Sequence, residues 1–94
     1  HDCSDEDVAW AKSKLGKQAL KPMGAPLATS DHKFGGVRRV YIECLQDRTL
    51  VPEFQKQMYT DLPCEKVISM DTSHSPFMSA PKELANHLMS LPSL

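Results

Sequence analysis

The sequence predicts an α/β fold built on one βαβ unit, and three observations predict it. Val40, Tyr41, Ile42, Cys44 and Leu45 form a nearly continuous apolar run broken by Glu43, the composition of a strand covered on both faces. Glu65 to Met70 is a second run of strand length, bounded by Pro63 and by the polar Asp71-Thr72-Ser73. Between them Pro52, at a first-turn position, opens a helix that runs to about Tyr59, with Phe54, Met58 and Gln57 as its inward residues. Strand, helix and strand within about thirty residues predict a right-handed crossover and parallel strands.

The remaining elements follow in chain order. Ser4 to Leu15 reads as a helix: Ser4 stands three residues before Asp7 in a variant of the capping box, and Gly16 follows as a helix stop. Its apolar stripe, Val8, Ala11 and Leu15, is narrow and needs another surface to lie on. Gly16 to Pro26, with Gly16, Pro22, Gly24 and Pro26, predicts an irregular connection. Leu27 to Ser30 is a candidate extended piece, and Ser30 to Phe34 a single helical turn stopped by Gly35-Gly36. After His74, Pro76 and Phe77 turn the chain. Pro81 then starts a last helix with Leu84, Leu88 and Leu91 as its buried stripe, stopped by Pro92-Ser93-Leu94.

Composition narrows the function. Ninety-four residues with 40% hydrophobic content support one small core. A net charge of -1 with scattered Lys and Arg gives no footprint for nucleic acid or an anionic membrane, and no run approaches the length of a membrane span. The acidic N-terminus does not read as a signal peptide. Cys3, Cys44 and Cys64 are widely spaced and odd in number, which suggests neither a disulfide framework nor a zinc site and fits a reducing cytoplasmic setting. Cys44 reads as a buried small hydrophobe. His1 and Cys3 lack a second pair of metal ligands, so neither a metal nor a cofactor is expected.

Chemistry concentrates after the two strands. In open α/β sheets functional groups gather beyond the carboxyl ends of the strands, where Asp47 and His74 both fall. A histidine suits general-base work because its pKa lies near neutrality. A carboxylate on its other ring nitrogen fixes the tautomer and stabilises the imidazolium. Spacing alone leaves a plainer alternative open, in which Asp47 caps the next helix and His74 is a loop residue. Asp71 is a competing acid, though it shares the loop of His74 and is better placed to bond backbone amides there. Ser73 and Ser75 flank His74, and adjacent side chains rarely meet in the geometry that activates a nucleophile. His32 and His87 read as solvated residues. Glycine occurs only at Gly16, Gly24, Gly35 and Gly36, so the chain holds no G-x-S-x-G elbow.

The stretch Lys33-Phe34-Gly35-Gly36-Val37-Arg38-Arg39-Val40-Tyr41-Ile42-Glu43-Cys44, with Asp47 and then Pro52-Glu53-Phe54-Gln55, resembles the C-terminal part of the methylesterase and hydroxynitrile-lyase branch of the α/β-hydrolases. Ser73-His74-Ser75-Pro76-Phe77, followed by Pro81, Glu83 and Leu84, resembles the bacterial esterases of that branch. The resemblance implies that residues 1–26 form part of a helical lid with its connection, and that residues 27–94 form the C-terminal βαβα portion of the hydrolase core. It implies that Asp47 is the triad acid and His74 the triad base. The serine elbow and oxyanion hole would come from sequence not present here, so the chain alone is expected to be inactive. The expected partners are a small-molecule ester and the N-terminal half of the same hydrolase, with no cofactor. Lyases of the branch carry a lysine directly after the histidine; Ser75 stands there, which favours an esterase. A non-catalytic binding module that keeps the scaffold is the alternative.

Overall fold

The computed structural model describes residues 1–92; Ser93 and Leu94 of the expected stop lie outside the described residues. The chain divides into two compact units, His1–Ser4 with Arg38–Leu94, and Asp5–Val37.

The larger unit is built on two parallel strands, β1 (Val40–Cys44) and β2 (Lys66–Met70), in register from Val40 opposite Lys66 to Cys44 opposite Met70. Helix α3 (Pro52–Asp61) joins them, with Pro52 in its first turn, and outruns the expected end at Tyr59 by two residues. Helix α4 (Pro76–Ser79) is a single turn and α5 (Pro81–Met89) closes the described chain. An exposed ion pair from Arg38 to Glu65, with contacts of 2.7 and 2.5 Å, ties the residues that lead into the two strands. The buried apolar residues among those described are Cys44, Ile68 and Met70, and the buried polar ones are Asp47, Gln55, Thr72 and Ser73. Burial is therefore deepest at the carboxyl end of the sheet, and most of what lies there is polar.

That edge explains a correction in α3. The most buried residue of the helix is Gln55, at 1% exposure; Met58 is half-buried as expected, whereas Gln57 is exposed and Phe54 is 47% exposed. Arg39 O accepts from Glu65 N–H and Leu45 N–H donates to Met70 O, so alternate residues of β1 face β2 and Cys44 turns its N–H and C=O away. The Gln55 amide takes the place of a neighbouring strand there. Its Oε1 accepts from Cys44 N–H at 2.9 Å, and its Nε2 donates to Cys44 O at 2.9 Å and Leu50 O at 2.7 Å. Buried backbone groups demand partners, and that demand outweighs the burial of a phenylalanine ring. Gln55→Leu is expected to destabilise the protein by about 3 kcal/mol, the cost of stranding these groups, read as a lower urea midpoint at unchanged m-value.

The α5 stripe is also shallower than expected: Leu84 and Leu91 are half-buried, but Leu88 is 53% exposed. A two-stranded sheet is too narrow to cover the full width of a helix face.

In the smaller unit α1 (Asp5–Lys14) forms where the capping pattern places it, with Asp5, Glu6 and Asp7 at its positive end and Lys12 and Lys14 at its negative end. None of its residues is buried, and Leu15 is 77% exposed. The expected irregular connection contains a short helix, α2 (Leu20–Gly24), whose Pro22 falls among first-turn residues that need no N–H partner. Leu27 to Ser30 forms no strand, since an extended segment needs a ladder partner. The expected turn shifts to include its glycines. Phe34–Gly36 is a 3-10 turn, and Gly35 N–H donates to Ser30 O at 2.9 Å. A Cβ on Gly35 would stand 3.3 Å from that same oxygen, tight enough to favour glycine.

Candidate active site

The site grows out of the strand ends. Past Cys44 and Met70 the pairing continues, with Gln46 N–H donating to Thr72 O at 2.9 Å, so the two following loops leave the sheet side by side. Asp47 N–H donates to Cys44 O at 3.3 Å and turns the Asp47 side chain into the buried layer, where the residue is 6% exposed.

Each Asp47 oxygen has its own work. Oδ1 accepts from Thr49 N–H at 2.8 Å and Leu50 N–H at 2.9 Å, a local turn that shapes the loop. Oδ2 lies 2.7 Å from His74 Nδ1. Asp47 therefore does not cap α3, whose N-cap Val51 has no side-chain hydrogen bond; it holds the amides of the loop before that helix and meets the histidine. Gln55 secures the same loop through Leu50 O while Asp47 secures Leu50 N–H.

Burial pushes the Asp47 carboxyl up, but the His74 imidazole and the N–H groups of Leu50 and Thr49 outweigh it and hold the group below the usual carboxylate range. An ionised carboxylate accepts hydrogen bonds, so His74 Nδ1–H is the donor, and in the neutral ring Nε2 is left as a base. The His74 side chain is half-exposed, at 50%, while its partner is covered. Because the folded pKa of Asp47 is lowered, its stabilisation is complete above the unfolded value and fades as pH falls through the folded one. The difference in melting temperature between wild type and Asp47→Ala is expected to be largest near neutrality and to shrink as pH drops below about 4. A difference constant over that range would show that the carboxylate charge contributes nothing.

The other candidates fall elsewhere. Asp71 accepts from Gln46 Nε2 at 2.8 Å. Ser73 is buried, and its N–H and hydroxyl both bond Asp2. Ser75 leads into α4. His87 Nε2 stands 3.6 Å from Glu83 Oε1, one turn back on α5. His32 lies in the exposed turn before Phe34, and Cys44 is buried. Among the described residues no group of three or more His, Cys, Asp or Glu side chains is arranged to hold a metal ion.

Sequence reasoning missed Gln55 and Asp2. Gln55 shares a helix face with Met58 and Tyr59, a spacing of three and four that could have marked it as inward. Asp2 is 71 residues from Ser73, and no local pattern announces that contact.

No protein-family model matches the chain. It is 30% identical over 88 residues to methylesterase 7 of Arabidopsis thaliana, a match covering 93% of this chain and 34% of that protein. It is 28% identical over 93 residues to polyneuridine aldehyde esterase of Rauvolfia serpentina, covering 96% of this chain and 35% of that protein. Superposition on a crystal structure of polyneuridine aldehyde esterase gives a TM-score of 0.85 at 28% identity, covering 94% of this chain and 36% of that one. The fold is that of the C-terminal portion of an α/β-hydrolase. The homologues are plant methylesterases and polyneuridine aldehyde esterase, members of the α/β-hydrolase family, and the match falls on their C-terminal part. The bacterial affinity suggested by Ser73 to Phe77 finds no support among them. The chain spans about a third or less of the length of the curated relatives it matches.

Proposed function

We propose that this chain supplies the acid and the base of a serine carboxylic-ester hydrolase, with the nucleophile and oxyanion hole contributed by further sequence. The observation that carries the reading is the 2.7 Å contact between half-exposed His74 and buried Asp47. His74 Nε2 takes the proton of a serine hydroxyl as its oxygen attacks the ester carbonyl, and the imidazolium rests against the Asp47 carboxylate. Collapse of the tetrahedral intermediate breaks the bond to the alkoxy group, which leaves as the alcohol with the proton from His74. Water, deprotonated by the same nitrogen, then attacks the acyl-serine; the bond to the serine oxygen breaks, the acid leaves, and His74 returns the proton to the serine. Asp47 orients the ring and keeps Nδ1 protonated throughout.

The substrate class is a small carboxylic ester, as the names of the homologous esterases support. Ser75 after the histidine favours ester hydrolysis over cyanohydrin cleavage. The alternative of a non-catalytic module is not favoured, because the homologues are esterases.

The test is covalent. A fluorophosphonate probe applied to the full-length protein that carries this chain is expected to label one serine outside these 94 residues, and peptide mapping locates it. Labelling of Ser73 or Ser75 would reassign the nucleophile. The isolated 94-residue chain is expected to hydrolyse p-nitrophenyl acetate no faster than its His74→Ala variant; a faster rate abolished by that substitution would overturn the division of labour.

A further inference from the structure

The first two residues reach both loops of the site. His1 Nε2 donates to Gln46 O at 2.8 Å, immediately before Asp47. Asp2 Oδ2 accepts from Ser73 N–H at 2.8 Å and Asp2 Oδ1 accepts from the Ser73 hydroxyl, immediately before His74. These contacts link residues 45 and 71 positions apart, so neither follows from local chain geometry. Ser73 is 3% exposed, and a hydroxyl so buried requires an acceptor. The Ser73 hydroxyl and then its N–H hold the Asp2 carboxyl below the usual carboxylate range, so the acceptor is an ion and both bonds are of the stronger charge-assisted kind.

We propose that Asp2 is a positioning residue for His74: by gripping both polar groups of Ser73, it fixes the direction in which the chain leaves β2 and sets the reach of His74 Nδ1 to Asp47 Oδ2. The inference rests on the reading of His74 as the base. Its force comes from adjacency. A rotation at Ser73 carries the His74 backbone with it, and a hydrogen bond of 2.7 Å tolerates only a few tenths of an ångström before it weakens. The ring is half-exposed, so little packing of its own would hold it after such a shift. The bonds of Asp2 go to Ser73, and it acts on His74 through the backbone.

The experiment uses the full-length protein with p-nitrophenyl acetate as substrate and ¹⁵N-histidine labelling for NMR. Asp2→Ala is expected to lower kcat about tenfold while KM changes by less than about twofold, since misplacement of a catalytic group by a fraction of an ångström acts on the chemical step. The downfield Nδ1–H resonance of His74 should move upfield in the same variant. Asp2→Asn keeps one carbonyl acceptor for Ser73 and should recover part of both effects, which a loss of folded protein would not allow. If Asp2→Ala fails to fold, Ser73→Ala removes one of the two bonds and should shift kcat and the resonance in the same direction. A folded Asp2→Ala protein with unchanged kcat and an unmoved His74 resonance overturns the proposal. Should wild type and His74→Ala hydrolyse the ester equally, the esterase reading has failed, and the resonance alone decides the role of Asp2.

Discussion

His74→Ala in the full-length protein is expected to lower kcat for ester hydrolysis by at least about 10⁴-fold, with KM changed only a few-fold. The size follows from how much passes through one atom. In the proposed mechanism Nε2 removes a proton from an oxygen nucleophile in each half of the reaction and then returns it to an oxygen leaving group, so alanine would remove the base and the acid together. Residual turnover would come from the oxyanion hole and from binding, which this substitution leaves in place. The side chain is half-exposed, so its removal leaves no large buried cavity, but it strips Oδ2 of buried Asp47 of its partner; the variant should fold with a lowered melting temperature, and kcat is read per folded molecule. Steady-state kinetics with p-nitrophenyl acetate read the effect. Retention of more than about a tenth of wild-type kcat would remove His74 from the mechanism, because general acid–base catalysis alone is worth two to four orders of magnitude.

Much of the arrangement around His74 was readable in the chain, and the limits are physical. β1, α3 and β2 were legible because each is a local signal: a run of strand formers, a proline in a helix first turn, a short apolar run between polar ends. Parallel pairing then brings Asp47 and His74 to one edge, whichever side chains face each other. The contact itself was not readable, because it depends on Gln46 pairing with Thr72 beyond the strands and on Oδ1 of Asp47 being occupied by Thr49 and Leu50. Hydrophobicity pointed to Phe54 as the inward residue of α3, but the backbone groups of Cys44 required an amide, and Gln55 supplied it. Periodicity reports apolar demand and is silent about polar demand. In Asp5–Val37, glycine and proline marked the breaks but not what fills them, since they permit several short structures: the connection expected to be irregular holds α2, and the expected turn shifts to Phe34–Gly36.

Asp47→Asn should lower kcat by about 10³–10⁴-fold while leaving the fold intact, and the local hydrogen bonds say why. Asparagine has one carbonyl oxygen and one NH₂. Thr49 and Leu50 present two N–H groups where Oδ1 now sits, so the carbonyl must occupy that place and the NH₂ must face His74. A donor now meets Nδ1, which can only accept, and the proton of the neutral ring moves to Nε2. The ring then cannot take a proton from serine at the atom that faces it, although every residue stands where it stood. ¹⁵N NMR reads this directly: in wild type Nδ1 should carry the proton of the neutral ring, and in Asp47→Asn Nε2 should carry it. Asp47→Ala separates the causes. It frees Nδ1 without forcing the tautomer but also strands the loop amides, so it should retain more kcat per folded molecule than Asp47→Asn and lose more stability. An Asp47→Asn protein that shows the exchanged tautomer yet keeps wild-type kcat would show that His74 does not act as the base, because no route remains by which its Nε2 could accept the proton.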